Sequence, residues 1–203
     1  MNLNFNMAGQ NSSKTVRGRL GAILAFVLAF SCVGSALAAD ADPTSSEFEP
    51  PKPHLAFVGR FSVNLTAPIW ELGKTSEAGR RRIVPIVGGT FKGPNVNGEI
   101  LNNGADWQVV TSDNTTLIDT RYLMKMDDGE LVYVQTKGLR YGPPDVIADV
   151  IKGKPVDPNK YYFRLYTTFE TSSKKYDWLN KTMAIGYAMR LGSAVLSDVY
   201  QFN

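Results

Sequence analysis

The sequence predicts an all-β domain of roughly eight antiparallel strands closed into a small barrel, with one short helix. Three observations predict it. From His54 onward, short segments rich in β-branched and aromatic residues alternate with Gly, Pro, Asn and Asp punctuation. No long stretch has helical spacing; the one short exception is Asp145 to Lys152, where Val146, Ile147, Val150 and Ile151 share a helical face. So many antiparallel strands in one chain would leave sheet edges open, and closing the sheet on itself removes them. A barrel of eight strands has an interior just large enough for packed side chains or one small ligand. A two-sheet sandwich is the alternative architecture.

Taken in order, the expected strands are Leu55 to Leu65, Arg82 to Phe91, Ala105 to Thr111, Thr116 to Met126, Glu130 to Thr136, Tyr161 to Thr171, Lys181 to Leu191 and Val195 to Phe202. Asp127-Asp128-Gly129 joins two of them as a hairpin, because glycine tolerates the positive φ of a tight turn. Gly88-Gly89 marks a bulge and Gly93-Pro94 a turn. Gly153 ends the helix.

The chain has 203 residues, with 22 Lys+Arg against 19 Asp+Glu and a formal charge of +3. That excess is local. Residues 1–39 contain Lys14, Arg17 and Arg19 and no acid, so residues 40–203 carry 19 basic and 19 acidic side chains. A neutral remainder excludes a polybasic nucleic-acid binder and favours one globular domain. Leu20 to Ser35 is an apolar run between those cations and Ala36-Leu37-Ala38-Ala39, the layout of a secretory signal peptide cleaved near Ala38 or Ala39. The run falls at or below the ~20 residues that span a bilayer, so the expected product is exported, periplasmic or secreted, without stable membrane insertion. Cys32, the single cysteine, lies inside the run, and Phe30 stands where a lipoprotein signal carries a small residue. The mature chain is then free of thiols and of disulfides. Residues 40–53, rich in Pro, Ser and acids, read as a flexible linker before a domain at 54–203.

Particular residues carry more than pattern. Gly79 through Pro94 (GRRRIVPIVGGTFKGP), Gly104-Ala105-Asp106-Trp107, Arg121-Tyr122, Asp127-Asp128-Gly129, Tyr162-Phe163-Arg164, Phe169-Glu170 and Tyr176-Asp177-Trp178-Leu179-Asn180 together resemble the DUF3237 family, also called UPF0311, over about residues 54–202. The resemblance implies a small barrel of the allene oxide cyclase-like, calycin-like kind. It implies no settled activity, although related barrels include cofactor-free cyclases, and they often associate, so a homo-oligomer is expected. The leader is a departure, since many relatives lack one.

Several chemistries are excluded by composition. His54 is the only histidine and sits beside the linker, which argues against a Ser-His-Asp triad and a multi-histidine metal site. Val87 to Gly93 is glycine-rich but lacks the Gly-Lys-Ser/Thr ending and following helix of a phosphate loop. Asp127-Asp128-Gly129 lacks the further oxygen ligands of a calcium loop. No metal and no cofactor is expected.

What remains is a set of charged and aromatic residues within strands. Period two puts Tyr162, Arg164, Tyr166, Thr168 and Glu170 on one face and Phe163, Leu165, Thr167 and Phe169 on the other. If the first face is the lumen, Arg164 orients an acidic or carbonyl group and Glu170 acts as a general base; if it is the exterior, both are surface charges. Asp106 beside Trp107, Arg121 beside Tyr122, and Arg82 at the end of the triple arginine complete the set, with Trp178 as a further ring. Asp106 and Arg121 have a structural reading too, as an ion pair that fixes barrel closure.

Two functions follow. In the first, the barrel takes a small apolar or aromatic molecule and Asp106 or Glu170 moves a proton while Arg121 or Arg164 stabilises negative charge, as in an isomerisation, cyclisation or hydration. Trp107, Tyr122, Tyr162, Tyr166, Trp178 and Arg82 would line that ligand's site. In the second, an exported structural or interaction module uses the same charges only to hold itself together.

Overall fold

Along the longer strands buried and exposed side chains alternate, as a sheet with one dry face requires. The computed structural model describes residues 49–203. The expected signal peptide, Cys32 and most of the linker lie outside the described residues. Ten strands form: β1 (Leu55–Leu65), β2 (Trp70–Ser76), β3 (Gly79–Gly93), β4 (Val96–Ile100), β5 (Gly104–Val110), β6 (Thr116–Met126), β7 (Leu131–Tyr141), β8 (Tyr162–Thr171), β9 (Ala184–Arg190) and β10 (Ala194–Phe202). One α-helix, α1 (Pro144–Ile151), follows β7, and short 3-10 turns occupy Pro158–Lys160 and Asp177–Lys181.

All pairings are antiparallel, and they close into an eight-stave barrel. The circuit runs β1, β10, β9, β8, β7, β6, then a stave shared by β4 and β5, then β3, which pairs with β1. β4 and β5 are two halves of one stave because they occupy successive stretches of the same neighbours: Ile100 lies between Gly89 and Met124, and Ala105 between Pro85 and Arg121. Thus ten strands make the eight staves that the sequence suggested. β2 extends the line of β1 past the Thr66–Ile69 connection and pairs only with β3, leaving its outer edge free.

Gly89 is what lets β3 turn from one stave neighbour to the next. Its φ is +136°, and a side chain there would collide with the carbonyl of Ser62. At Gly138 in β7 a side chain would run into the backbone of Arg164, so the strand passes close to β8 only as glycine.

The two elements that the sequence reading omits have separate causes. β2 buries no residue, its apolar Trp70 and Leu72 both lying exposed, and Gly73 has φ +76°, so burial does not mark it. β4 does alternate, with Val96, Gly98 and Ile100 inward, but at five residues it hides behind the Gly93-Pro94 turn. The strand expected from Lys181 begins at Ala184, because Asn180 instead holds a 3-10 turn: its side chain accepts from the Thr171 amide at 2.8 Å and donates to the Thr171 carbonyl at 2.9 Å.

The core has two parts. At one end Phe61 stacks on Phe91 with centroids 4.0 Å apart, and Phe169, Tyr122, Met124 and Val134 pack around them. Tyr176 and Leu179 from the 3-10 turn region close this end and are fully buried. At the other end α1 lays Ile147 and Val150 against Ile118, Tyr161, Phe163 and Ala188.

Candidate functional site

Between the two core clusters lies a cavity of about 50 Å3, and its walls change character along its length. Toward the closed end they are Phe61, Val63, Ile86 and Tyr122. Toward α1 they are Asp106, Gln108, Thr136, Arg140, Thr167, Arg190 and Ser197. A smaller cavity of about 30 Å3 shares Gln108, Arg140 and Arg190 and reaches outward between Ile69, just before β2, and Ile151, at the end of α1. Arg82 lines that outer part. The lumen therefore has a polar mouth and an aromatic floor.

Strand period brings the polar groups together. Asp106 and Gln108 are two residues apart in β5 and both point inward; Thr136 and Arg140 share the inner face of β7, and Thr167 that of β8. Asp106 is buried. One carboxylate oxygen accepts from Gln108 Nε2 at 2.5 Å and the other from the Asp119 amide at 3.1 Å. Burial drives its pKa up to about 6, against the opposing pull of those two donors and of Arg140. Arg140 is brought down to about 10, again chiefly by burial, with Asp106 opposing and the cations of Arg190 and Arg82 adding to the fall. Burial lowers Arg190 as well and raises the Tyr122 phenol.

The hydrogen bonding of this mouth is incomplete. Arg140 donates to Thr116 Oγ1 at 3.4 Å, but its Nε is buried without a partner among the described residues. Gln108 Oε1 and Ser197 Oγ are buried and unpartnered in the same way. Arg82 Nε lies 2.5 Å from Glu71 Oε1 in β2, an ion pair set at an angle too poor for a hydrogen bond. Thr136 and Thr167, by contrast, satisfy one another at 3.0 Å. Buried polar atoms in folded proteins are nearly always paired, so these three around one cavity call for partners from water or a ligand within it.

The residues singled out from sequence divide between inside and outside. Asp106 and Tyr122 face the lumen, and Arg82 is buried at its mouth. Arg164 and Glu170 do not face it. β8 turns Phe163, Leu165, Thr167 and Phe169 inward, so the reading that placed Arg164 and Glu170 in the lumen is corrected to the exterior. The reason is energetic: the inner face takes the phenylalanines, while Glu170 on that face would be a desolvated carboxylate without a cation. Outside, the Arg164 guanidinium sits 4.2 Å from the Tyr187 ring centroid and 5.1 Å from that of Tyr162, with Tyr166 exposed nearby. Arg121 is also outside, 3.3 Å from Asp119 and over the Trp107 ring at 5.9 Å. The expected Asp106–Arg121 pair therefore does not form: adjacent staves carry the two side chains to opposite faces. Trp178 packs on the aromatic core at the closed end, far along the barrel from the mouth.

Sequence reasoning missed Gln108, Arg140, Arg190, Thr136, Thr167 and Ser197 as lumen residues. Period two from Asp106 reaches Gln108 directly. Arg140 was hidden because the expected strand stopped at Thr136, four residues short of it. Among the described residues no group of three or more His, Cys, Asp or Glu side chains comes together as a metal site.

A family model described as a protein of unknown function, DUF3237, matches residues 53–202. A UPF0311 protein from Clostridium acetobutylicum is 39% identical over 145 residues, covering 70% of this chain and 91% of its own. A solved beta-barrel-like protein from Acinetobacter baumannii is 55% identical, with a TM-score of 0.69 over 77% of this chain and all of that one. More distantly, a hydroalkoxylation enzyme from Penicillium herquei is 26% identical over 155 residues, 76% of this chain and 87% of its own. A solved enzyme from the same fungus has 25% identity and a TM-score of 0.54 over 77% of this chain and 98% of its own.

Proposed function

The chain belongs to the DUF3237 family, and from that premise we propose that its lumen is the active site of a cofactor-free enzyme that adds O–H across a carbon–carbon double bond within one small molecule. One observation carries the reading: Asp106 is a buried carboxyl facing the cavity, with a pKa near 6, and so is able both to give and to take a proton near neutral pH. The name of the Penicillium herquei relative supplies the reaction class.

The chemistry balances without an added reagent. Asp106 in its acid form donates its proton to one alkene carbon. The substrate's hydroxyl oxygen bonds to the other carbon as positive charge develops there, and its proton returns to the Asp106 carboxylate. The product is an isomer of the substrate. Gln108 and the Asp119 amide hold the carboxyl in place, and the aromatic floor of Phe61 and Tyr122 receives the apolar part. The cavity of about 50 Å3 is smaller than the roughly 150 Å3 that encloses benzene, so in this proposal a single-ring molecule enters only as the mouth widens into the adjoining cavity of about 30 Å3.

The test uses small alkenylphenols such as 2-allylphenol, incubated with the purified protein and followed by chromatography for a product of unchanged mass. Wild type is expected to cyclise at least one. Asp106→Asn is expected to lower that rate about 100-fold or more, the usual worth of a positioned acid–base group. Equal rates in the two proteins would overturn the role of Asp106. Residues 1–39 act in this proposal as an export signal removed near Ala38 or Ala39, which the mass of the protein recovered from its producing cells checks directly.

A further inference from the structure

We infer that the ligand of this lumen is a monoanion carrying a hydroxyl group beside its negative oxygen, with Arg140 and Arg190 holding the anion and Gln108 Oε1 accepting from the hydroxyl. The inference rests on the lumen being the active site and names the class of molecule that enters it.

Charge at the mouth is unbalanced in one direction. Arg82, Arg140 and Arg190 converge on one small cavity that no carboxylate lines, and two carboxylates, Glu71 and Asp106, lie against them from outside it. Glu71, half-exposed on the free-edged β2, pairs with Arg82. Asp106 is left against both Arg140 and Arg190, and its two oxygens are already engaged by Gln108 and the Asp119 amide. Neither arginine forms a salt bridge among the described residues; the Arg190 guanidinium donates to the Gly192 carbonyl at 3.2 Å and that of Arg140 to Thr116. A buried guanidinium without a carboxylate is costly, and a single negative charge entering the mouth relieves it.

The orphaned atoms specify more than charge. Arg140 Nε is an unpartnered donor, so it selects a group that accepts. Gln108 Oε1 is an acceptor, because its Nε2 is spent on Asp106, so it selects a group that donates. A molecule with an anionic oxygen next to a hydroxyl meets both demands at once. Its ring lies against Phe163, over which the Arg140 guanidinium already stands at 5.5 Å.

Binding an anion beside Asp106 favours the carboxyl over the carboxylate, so ligand and proton enter together. The groups facing Asp106 that set this coupling are Gln108 on its own strand, the amide and carboxylate of Asp119 on β6, Arg140 on β7 and Arg190 on β9. Affinity for the anion therefore falls as pH rises from 5 to 8 in wild type and is flat in Asp106→Asn.

Calorimetry on the full-length purified protein with three probes decides the matter: salicylate, benzoate and neutral benzamide. Salicylate is expected to bind tightest, benzoate several-fold weaker, and benzamide weakest by about tenfold or more. Arg140→Gln and Arg190→Gln are each expected to weaken salicylate about tenfold while leaving benzamide unchanged. Gln108→Leu should erase the preference for salicylate over benzoate. If Arg140→Gln fails to fold, Arg190→Gln carries the test, since Arg190 is only partly buried. Benzamide binding as tightly as benzoate, or salicylate unaffected by Arg190→Gln, overturns the inference. Turnover of neutral alkenylphenols without anion binding would sink this inference and spare the enzymatic reading. Salicylate binding as described with no turnover of any alkenylphenol would do the reverse.

Discussion

The two ends of the barrel are built on opposite principles. The closed end is apolar and tightly packed: Phe61, Phe91 and Phe169 form a cluster of three near-parallel rings in mutual contact, and Tyr176 and Leu179 seal it. The open end buries two arginines, Arg82 and Arg140, with a carboxylic acid and a glutamine, and holds Arg190 partly buried beside them; several of these polar atoms find no partner among the described residues. Stability is concentrated where every group is satisfied. Unsatisfied groups cost stability, and a fold keeps them where they contact something outside itself. The contrast separates what holds this molecule together from what it does, and each variant below pushes on one side of that division.

The largest effect belongs to the closed end. Phe91 is fully buried, and replacing it with alanine removes one of the three rings of that cluster. Phe91→Ala is expected to cost about 3–5 kcal/mol of folding stability by urea denaturation. Whatever protein remains folded at low temperature should bind salicylate with affinity close to wild type, because Phe91 does not line the cavity. Loss of binding in proportion to loss of stability would mean that the two ends are not separate.

At the mouth the sign reverses. Burial raises the Asp106 pKa from 3.8 to about 6, so the folded chain holds that proton more tightly than the unfolded chain does. The group is harmless to folding below about pH 4 and destabilising once pH has risen through 6, by about 3 kcal/mol from a shift of about two pH units. Asp106→Asn removes that slope. Gln108 can turn its amide over to accept from the new side chain, so the variant should equal wild type at pH 4 and exceed it at pH 8. Parallel stability profiles across that range would show that the carboxylate is not desolvated as the structure describes. A variant both more stable and inactive is the signature of a group kept for chemistry.

The same division explains how much of the molecule was legible in its sequence. β1 and β6 have the bounds that alternation predicts, and α1 lies within a residue of its expected place, because each buries one apolar stripe. β2 escaped because it lies at the mouth, where it buries no residue and is hydrogen-bonded on one side only among the described residues. Of the site, Asp106 stood out, since a charged residue in an apolar strand pattern needs an explanation. Arg140 lay beyond the strand expected to end at Thr136, Arg190 carried no mark of its own, and only barrel closure brings β7 and β9 around to face β5. In β8 both faces carry rings, so period two could define them without saying which one was dry. The face of Phe163 and Phe169 went inward, taking Arg164 and Glu170 with the opposite face to water.

That assignment is itself open to test, through the smallest effect. Arg164 stands between Tyr187 and Tyr162 on the outer wall, with one amino group donating to the Phe163 carbonyl at 3.0 Å. Exposed cation–π contacts of this kind are worth about 0.5–1 kcal/mol. Arg164→Gln should lower stability by no more than about that amount, and salicylate affinity and its pH dependence should match wild type. The wall between Arg164 and the lumen is a continuous antiparallel ladder, Gly138 to Leu165 to Gly186, with Leu165 filling the inner side. A charge outside that ladder reaches the ligand only through screened, long-range field, which raised salt suppresses. If Arg164→Gln weakened the anion as much as Arg190→Gln does, and salt did not shrink the difference, β8 would have to present its other face to the lumen, and the inside–outside division on which the mouth depends would fail with it.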